Sequence, residues 1–216
     1  SIEGHRTGPA TFPRRPNLTK AIARAVRQPP PCSQPGAQPA TTMTPIISKE
    51  LVQAIRDQFH INWHGIHGFS HLARVWANGL RLAPATGAND RVVQLFALLH
   101  YSRRLSDGKD TDHGPRGAQL AEQWRGRYFD LADPEFDLLC TACRLHTRAL
   151  THADATVQTC FDADRLDLAR VGKTPDPAFL STDAAREPET IRWAVERSRK
   201  GFQPDLFGHR RPEENR

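Results

Sequence analysis

The chain contains no apolar run approaching the ~20 residues that cross a bilayer, and no apolar signal-peptide core near its start. Alternation of period two is nearly absent, and so are hairpin dipeptides between apolar runs, which argues against a fold built on sheets. No repeated segment is visible. Cysteine is sparse: four residues in 216, with Cys32 in a proline-rich stretch. That usage suits a reduced, cytoplasmic protein better than a disulfide framework. Cys140-Thr141-Ala142-Cys143 has no second pair to complete a zinc site and no strand-to-helix junction to make it redox-active. These thiols, like Cys160, are expected to pack in the core. No strand precedes Gly65, Gly68 or Gly79, so they form no loop that cradles phosphate.

What is present suits a soluble globule, with 25% charged and 38% hydrophobic residues. The net charge of +6 is uneven. Residues 1–43 carry six Lys/Arg against one acid, leaving 24 basic and 23 acidic residues beyond them. The basic charge therefore lies off the expected domain, which disfavours nucleic acid as a partner. Residues 1–46 also hold nine of the 17 prolines and are expected to be a disordered tail. Met43 is the sole methionine, so the natural product is expected to begin there, with residues 1–42 an upstream addition. A targeting peptide is the alternative, although its one amphipathic piece, Lys20 to Arg27, is short.

Beyond Met43 the periodicity is helical. Ser48-Lys49-Glu50 opens a helix carrying Leu51, Ile55 and Phe59. Others are expected from about Ser70 to Leu82, from an Asp90 cap, from Gly114-Pro115 to about Tyr128, and from Asp133-Pro134-Glu135 to about His146. Two more span Ala155 to Val171 and begin at Pro188, around an irregular stretch at 173–183. The expected architecture is all-α: a single helical domain over 47–205 with about seven helices, and a frayed end at 206–216.

Four of these helices bring a polar side chain to their apolar face. His71 shares a face with Val75, His100 with Val93 and Phe96, His146 with Leu139 and Cys143, and Asp164 with Phe161 and Leu168. Any one of them is ordinarily a hydrogen-bonded core residue. A set of them on successive helices points to a shared metal site, and a metal site points to hydrolysis.

The segments His64-Gly65-Ile66-His67-Gly68-Phe69-Ser70-His71, Leu98-Leu99-His100-Tyr101, Asp112-His113-Gly114, His146-Thr147 and Asp162-Ala163-Asp164-Arg165-Leu166-Asp167 resemble, in order and spacing, the motifs of the HD-domain superfamily of metal-dependent phosphohydrolases. The resemblance covers about 60–172. It implies an HD-domain-like bundle in which His71, His100 and Asp164 ligate a divalent metal ion (Mg, Mn, Co, Ni or Fe), with Asp162 the alternative if the last motif is shifted. His113 and His146 would support a second metal or the substrate phosphate, His113 with a catalytic part. Arg103, also assigned to catalysis, and Arg74 would neutralise phosphate oxygens. The implied activity is hydrolysis of a small phosphate ester or nucleotide, by water that the cation acidifies. Tyr101 departs from the pattern, standing where the family carries a metal-liganding Asp. It favours the other reading, a non-catalytic regulatory module of the same fold that binds a metal or a phosphorylated ligand.

Overall fold

A computed structural model describes residues 46–207. The chain divides into two units, Ser1–Thr42 and Met43–Arg216, and all described residues belong to the second. The expected tail and C-terminal end therefore lie outside the described residues, apart from 46, 206 and 207. Of these, Ile46 and Leu206 are buried.

Eight α-helices and two 3-10 helices account for the ordered elements among the described residues, with no strand. They are α1 (Lys49–Asp57), α2 (Phe69–Thr86), α3 (Asp90–Leu99), α4 (His113–Trp124), α5 (Asp133–Leu145), α6 (Ala155–Arg165), α7 (Asp183–Arg186) and α8 (Pro188–Arg199). The 3-10 turns are Leu168–Val171 and Pro177–Phe179. The all-α expectation holds, with an extra short helix, α7, starting at the last residue of the stretch read as irregular and a 3-10 turn inside that stretch.

Local chemistry sets the helix starts. Ser48 accepts from the Leu51 amide at 3.0 Å. The cap of α3 is Asn89 and not Asp90 as expected: its Oδ1 accepts from the amides of Arg91 and Val92, and Asp90 becomes the first helical residue. At α5, Glu135 reaches back to the Ala132 amide, and Pro134 occupies the first turn, where its missing N–H costs nothing. Helix α6 ends sooner than expected, at Arg165, and only a 3-10 turn carries the chain on to Gly172. Gly172 adopts a positive φ of 78° and closes that segment. Helix α2 extends four residues further than expected, because Pro84 falls in its last turn and removes only one late hydrogen bond.

Helix α2 is central, packing on α3 and α6, while α5 touches α3, α4 and α6. Its stretch from His71 to Gly79 is buried throughout, as befits a helix surrounded by others. Leu72, Val75, Val92, Phe96, Leu99, Leu139, Cys143, Val157 and Phe161 fill the core between α2, α3, α5 and α6. Two glycines let α4 approach closely. A Cβ on Gly117 would lie 2.5 Å from the Leu99 carbonyl, and one on Gly114 would lie 2.2 Å from that of Cys143. This contact places His113, at the start of α4, against His146, at the end of α5. Cys140, Cys143 and Cys160 are buried free thiols, and burial raises their pKa values.

Candidate metal centre

His71 stands in the first turn of α2, His100 caps the C-terminus of α3, and Asp164 lies in the last turn of α6. The packing of α2 on α3 and α6 brings the three together. One ligand atom from each, a histidine nitrogen or a carboxylate oxygen, lies within 4.8 Å of the others. Asp164 Oδ1 is 3.5 Å from His71 Nε2 and 3.7 Å from His100 Nε2.

The three atoms facing one another, His71 Nε2, His100 Nε2 and Asp164 Oδ1, are each buried and lack a hydrogen-bond partner among the described residues. The far side of each histidine ring is satisfied. His71 Nδ1 is 2.8 Å from Asp167 Oδ2, and His100 Nδ1 faces the carbonyls of Phe96 and Ala97 at 3.0 and 3.1 Å. With its proton on Nδ1, each ring presents an Nε2 lone pair to the gap. Buried polar atoms left unpaired cost free energy, and three of them converging is the arrangement a cation resolves. The residues present thus fit a divalent metal, offering two imidazoles and one carboxylate.

Charge states agree with ligation. Burial, together with Arg170, lowers His71 to a pKa of about 3, so it is neutral at pH 7. Burial raises Asp164, but His100, His71 and Arg170 outweigh it and hold the carboxyl well below its usual range.

Asp167 supports the site from behind and was not singled out as a functional residue. Besides orienting His71, it accepts from Arg74 Nε at 2.6 Å and Arg74 Nη2 at 3.1 Å. A carboxylate behind a histidine fixes its tautomer and raises its basicity. Arg74, expected to neutralise phosphate, is instead committed to this buried pair and to the Phe202 carbonyl. Asp162, the alternative ligand, is engaged elsewhere. Its oxygens accept from the Ser181 and Thr182 amides and the Thr182 hydroxyl, anchoring the chain ahead of α7.

His113 and His146 adjoin the centre, their Nε2 atoms 2.9 Å apart. The His100 and His146 rings are 5.2 Å apart between centroids. His146 Nδ1–H donates to the Cys143 carbonyl at 2.8 Å. His113 Nδ1 meets both the Asp110 carbonyl and Arg104 Nη1. A proton on Nδ1 satisfies the carbonyl and leaves two lone pairs facing each other, which a shared proton or cation relieves. With the proton on Nε2 instead, the bare Nδ1 accepts from Arg104 and Nε2–H donates to His146 Nε2. Burial lowers these two histidines to pKa values of about 4 and 3.

Tyr101 is buried beside all of them, its ring centroid 4.4 to 4.8 Å from those of His113, His100 and His71. Arg170 Nη2 donates to its hydroxyl at 3.4 Å. Burial and Asp164 push the phenol up to about 12. The arginine that reaches the cluster is Arg104 and not the expected Arg103. Arg103 is half-buried, and its carbonyl accepts from Arg116. No hydrogen bond or ion pair from the Arg103 side chain to the cluster occurs among the described residues. A cue for Arg104 existed in the sequence, since both arginines follow the His100 segment, but the turn between them decides which one faces inward.

No protein-family model matches the chain, and no curated protein matches it. Among solved structures, it is similar to a predicted HD superfamily hydrolase from an uncultured Thermotogales bacterium, with 24% identity and a TM-score of 0.53. The match covers 68% of this chain and 84% of that one. At this identity the likeness speaks for the fold alone. With the all-helical order described above, it identifies the chain as having an HD-domain-like fold.

Proposed function

We propose that the chain is a metal-dependent phosphohydrolase acting on a small phosphate ester, nucleotides included. The observation that carries this reading is the convergence of His71 Nε2, His100 Nε2 and Asp164 Oδ1, all buried and all without a hydrogen-bond partner among the described residues. Imidazole nitrogen favours Mn, Fe, Co or Ni over Mg at such a site. A divalent cation held by these three residues supplies Lewis acidity, acidifying water and neutralising phosphoryl charge. Asp167 keeps His71 in the liganding tautomer. The phenol of Tyr101 stays protonated at neutral pH and serves as a hydrogen-bond donor. His113 and His146, neutral at pH 7, offer nitrogen to a second cation or a proton relay to the substrate.

Tyr101 favours one other reading, in which the same pocket binds a metal or a phosphorylated ligand without turnover. Its ring occupies space beside the centre while contributing no carboxylate. One experiment separates the two. Metal content is measured by elemental analysis after reconstitution with each candidate cation, and release of phosphate is followed over a panel of phosphomonoesters and nucleotides. Turnover that vanishes with chelator and in His71→Ala supports hydrolysis. Metal uptake without turnover of any ester supports the binding module. Absence of stoichiometric metal under every condition refutes hydrolysis and the metal-binding form of the module, and leaves the module only a phosphorylated ligand.

A further inference from the structure

Three side chains from separate segments meet around the Tyr101 ring. Arg104, in the turn after α3, places its guanidinium carbon 4.9 Å from the ring centroid. Arg170, in the 3-10 turn after α6, places its own at 5.8 Å, and the His67 ring, ahead of α2, lies 5.5 Å away. Each is largely buried: His67 and Arg104 are 6% exposed, and the Arg170 side chain is 5% exposed. Each also keeps one buried nitrogen without a hydrogen-bond partner among the described residues, namely His67 Nδ1, Arg104 Nε and Arg170 Nε.

The guanidiniums are positioned and not merely enclosed. Arg104 Nη1 meets His113 Nδ1 and Nη2 donates to the Gly108 carbonyl, while Arg170 Nη1 donates to the Asp167 carbonyl and Nη2 to Tyr101. In both, the Nε–H edge is what remains. Tyr101 accepts from Arg170 and keeps its own proton to offer.

Charge points the same way. Arg104 has no carboxylate partner within ion-pair distance among the described residues. The carboxylate nearest Arg170, Asp167, stands 3.8 Å away and is already shared by Arg74 and His71. Around the centre, three buried guanidiniums (Arg74, Arg104 and Arg170) face two carboxylates (Asp164 and Asp167). Burial and the two arginines lower His67 to about 4, so it adds no charge at pH 7. A buried cation left unpaired is costly, so this excess awaits an anion.

We infer that Arg104, Arg170, His67 and the Tyr101 hydroxyl form the seat of a phosphoryl dianion, which makes a terminal phosphomonoester, and not a diester, the ligand class of this site. The inference rests on the proposed function only for what happens to the bound phosphate, since inorganic phosphate itself should occupy the seat. Three non-bridging oxygens match three unpaired nitrogens and one hydroxyl, and the single surplus positive charge offsets one of the two negative charges. A diester brings one charge and two such oxygens and leaves donors stranded. Tyr101, by withholding a carboxylate from this spot, keeps the seat positive.

The test is calorimetry on the full chain with inorganic phosphate, phenyl phosphate and methyl phenyl phosphate, for wild type, Arg104→Gln and Arg170→Gln. Circular dichroism and melting temperature report whether the variants fold. Phosphate Kd is expected to rise at least tenfold in each variant, and wild type is expected to bind the monoester at least tenfold tighter than the diester. The monoester–diester comparison needs no substitution and stands even if a variant misfolds. Equal affinity for the two esters, or an unchanged phosphate Kd in both folded variants, overturns the seat. Phosphate binding lost in the variants, with no turnover by wild type under any cation, upholds the seat and overturns hydrolysis. Wild-type turnover whose KM neither substitution moves upholds hydrolysis and overturns the seat.

Discussion

Restoring a carboxylate at position 101 should trade intrinsic stability for metal affinity. In Tyr101→Asp, a ring that is 6% exposed and wedged among three histidines disappears. Large-to-small aromatic substitutions in cores cost about 3–5 kcal/mol. The new carboxylate must also be desolvated, at several kcal/mol. Part of this returns through Arg104 and Arg170, whose guanidinium carbons lie 4.9 and 5.8 Å from the present ring centroid. At an effective dielectric of about 20, a unit pair near 5 Å is worth ~3 kcal/mol. The metal-free variant should therefore melt several degrees lower, from a net loss of about 2–4 kcal/mol. With a divalent cation the balance reverses. A carboxylate about 4 Å from a double charge gains ~8 kcal/mol before desolvation. We expect ~1.4–3 kcal/mol to survive, which is ten- to a hundredfold tighter binding. Calorimetry with Mn²⁺ gives the affinities, and melting curves with and without chelator give the stabilities. If the Tyr form binds metal as tightly as the Asp form, position 101 does not face the cation, and the reading of Tyr101 as a displaced ligand is wrong.

Three further outcomes are expected. Asp167→Asn deprives His71 and Arg74 of their shared carboxylate and should weaken metal binding about 10–100-fold while leaving helix content intact; an unchanged Kd would show that His71 needs no support. Gly114→Ala forces a Cβ to within 2.2 Å of the Cys143 carbonyl and 2.9 Å of His146, so α4 and α5 should separate at a cost of about 1–3 kcal/mol by urea unfolding, and substitution without cost would contradict the close packing. The metal-free protein should lose stability as pH falls from about 7 toward 5. His67, His71, His113 and His146 have folded pKa values of about 4, 3, 4 and 3, so the unfolded chain takes up protons below its ordinary histidine pKa that the fold refuses. Each such histidine contributes about 1.4 kcal/mol per pH unit in that window, and a flat unfolding profile there would show that these rings are not buried neutral.

The sequence by itself determined the helical class, most of the helix starts and which polar residues face inward. Those are local facts: Ser48, Pro134 and Pro188 act on their own neighbours, and His71, His100 and Asp164 fall on apolar stripes with a period near 3.6. The tertiary structure decided which acidic and basic residues do which work. Asp162 and Asp164 lie two residues apart, about 200° around a helix, so when one faces the histidines the other must face away, and only the docking of α6 against α2 and α3 says which is which. Asp167 lies beyond the helix end, where the 3-10 turn swings it behind His71, a direction that helical periodicity does not encode. Arg103 and Arg104 follow α3 in a turn, and their directions depend on where α4 and the Asp110 loop settle. Periodicity constrains a side chain only inside a regular element. At element ends, where this site's supporting residues sit, direction is set by packing between segments far apart in the chain.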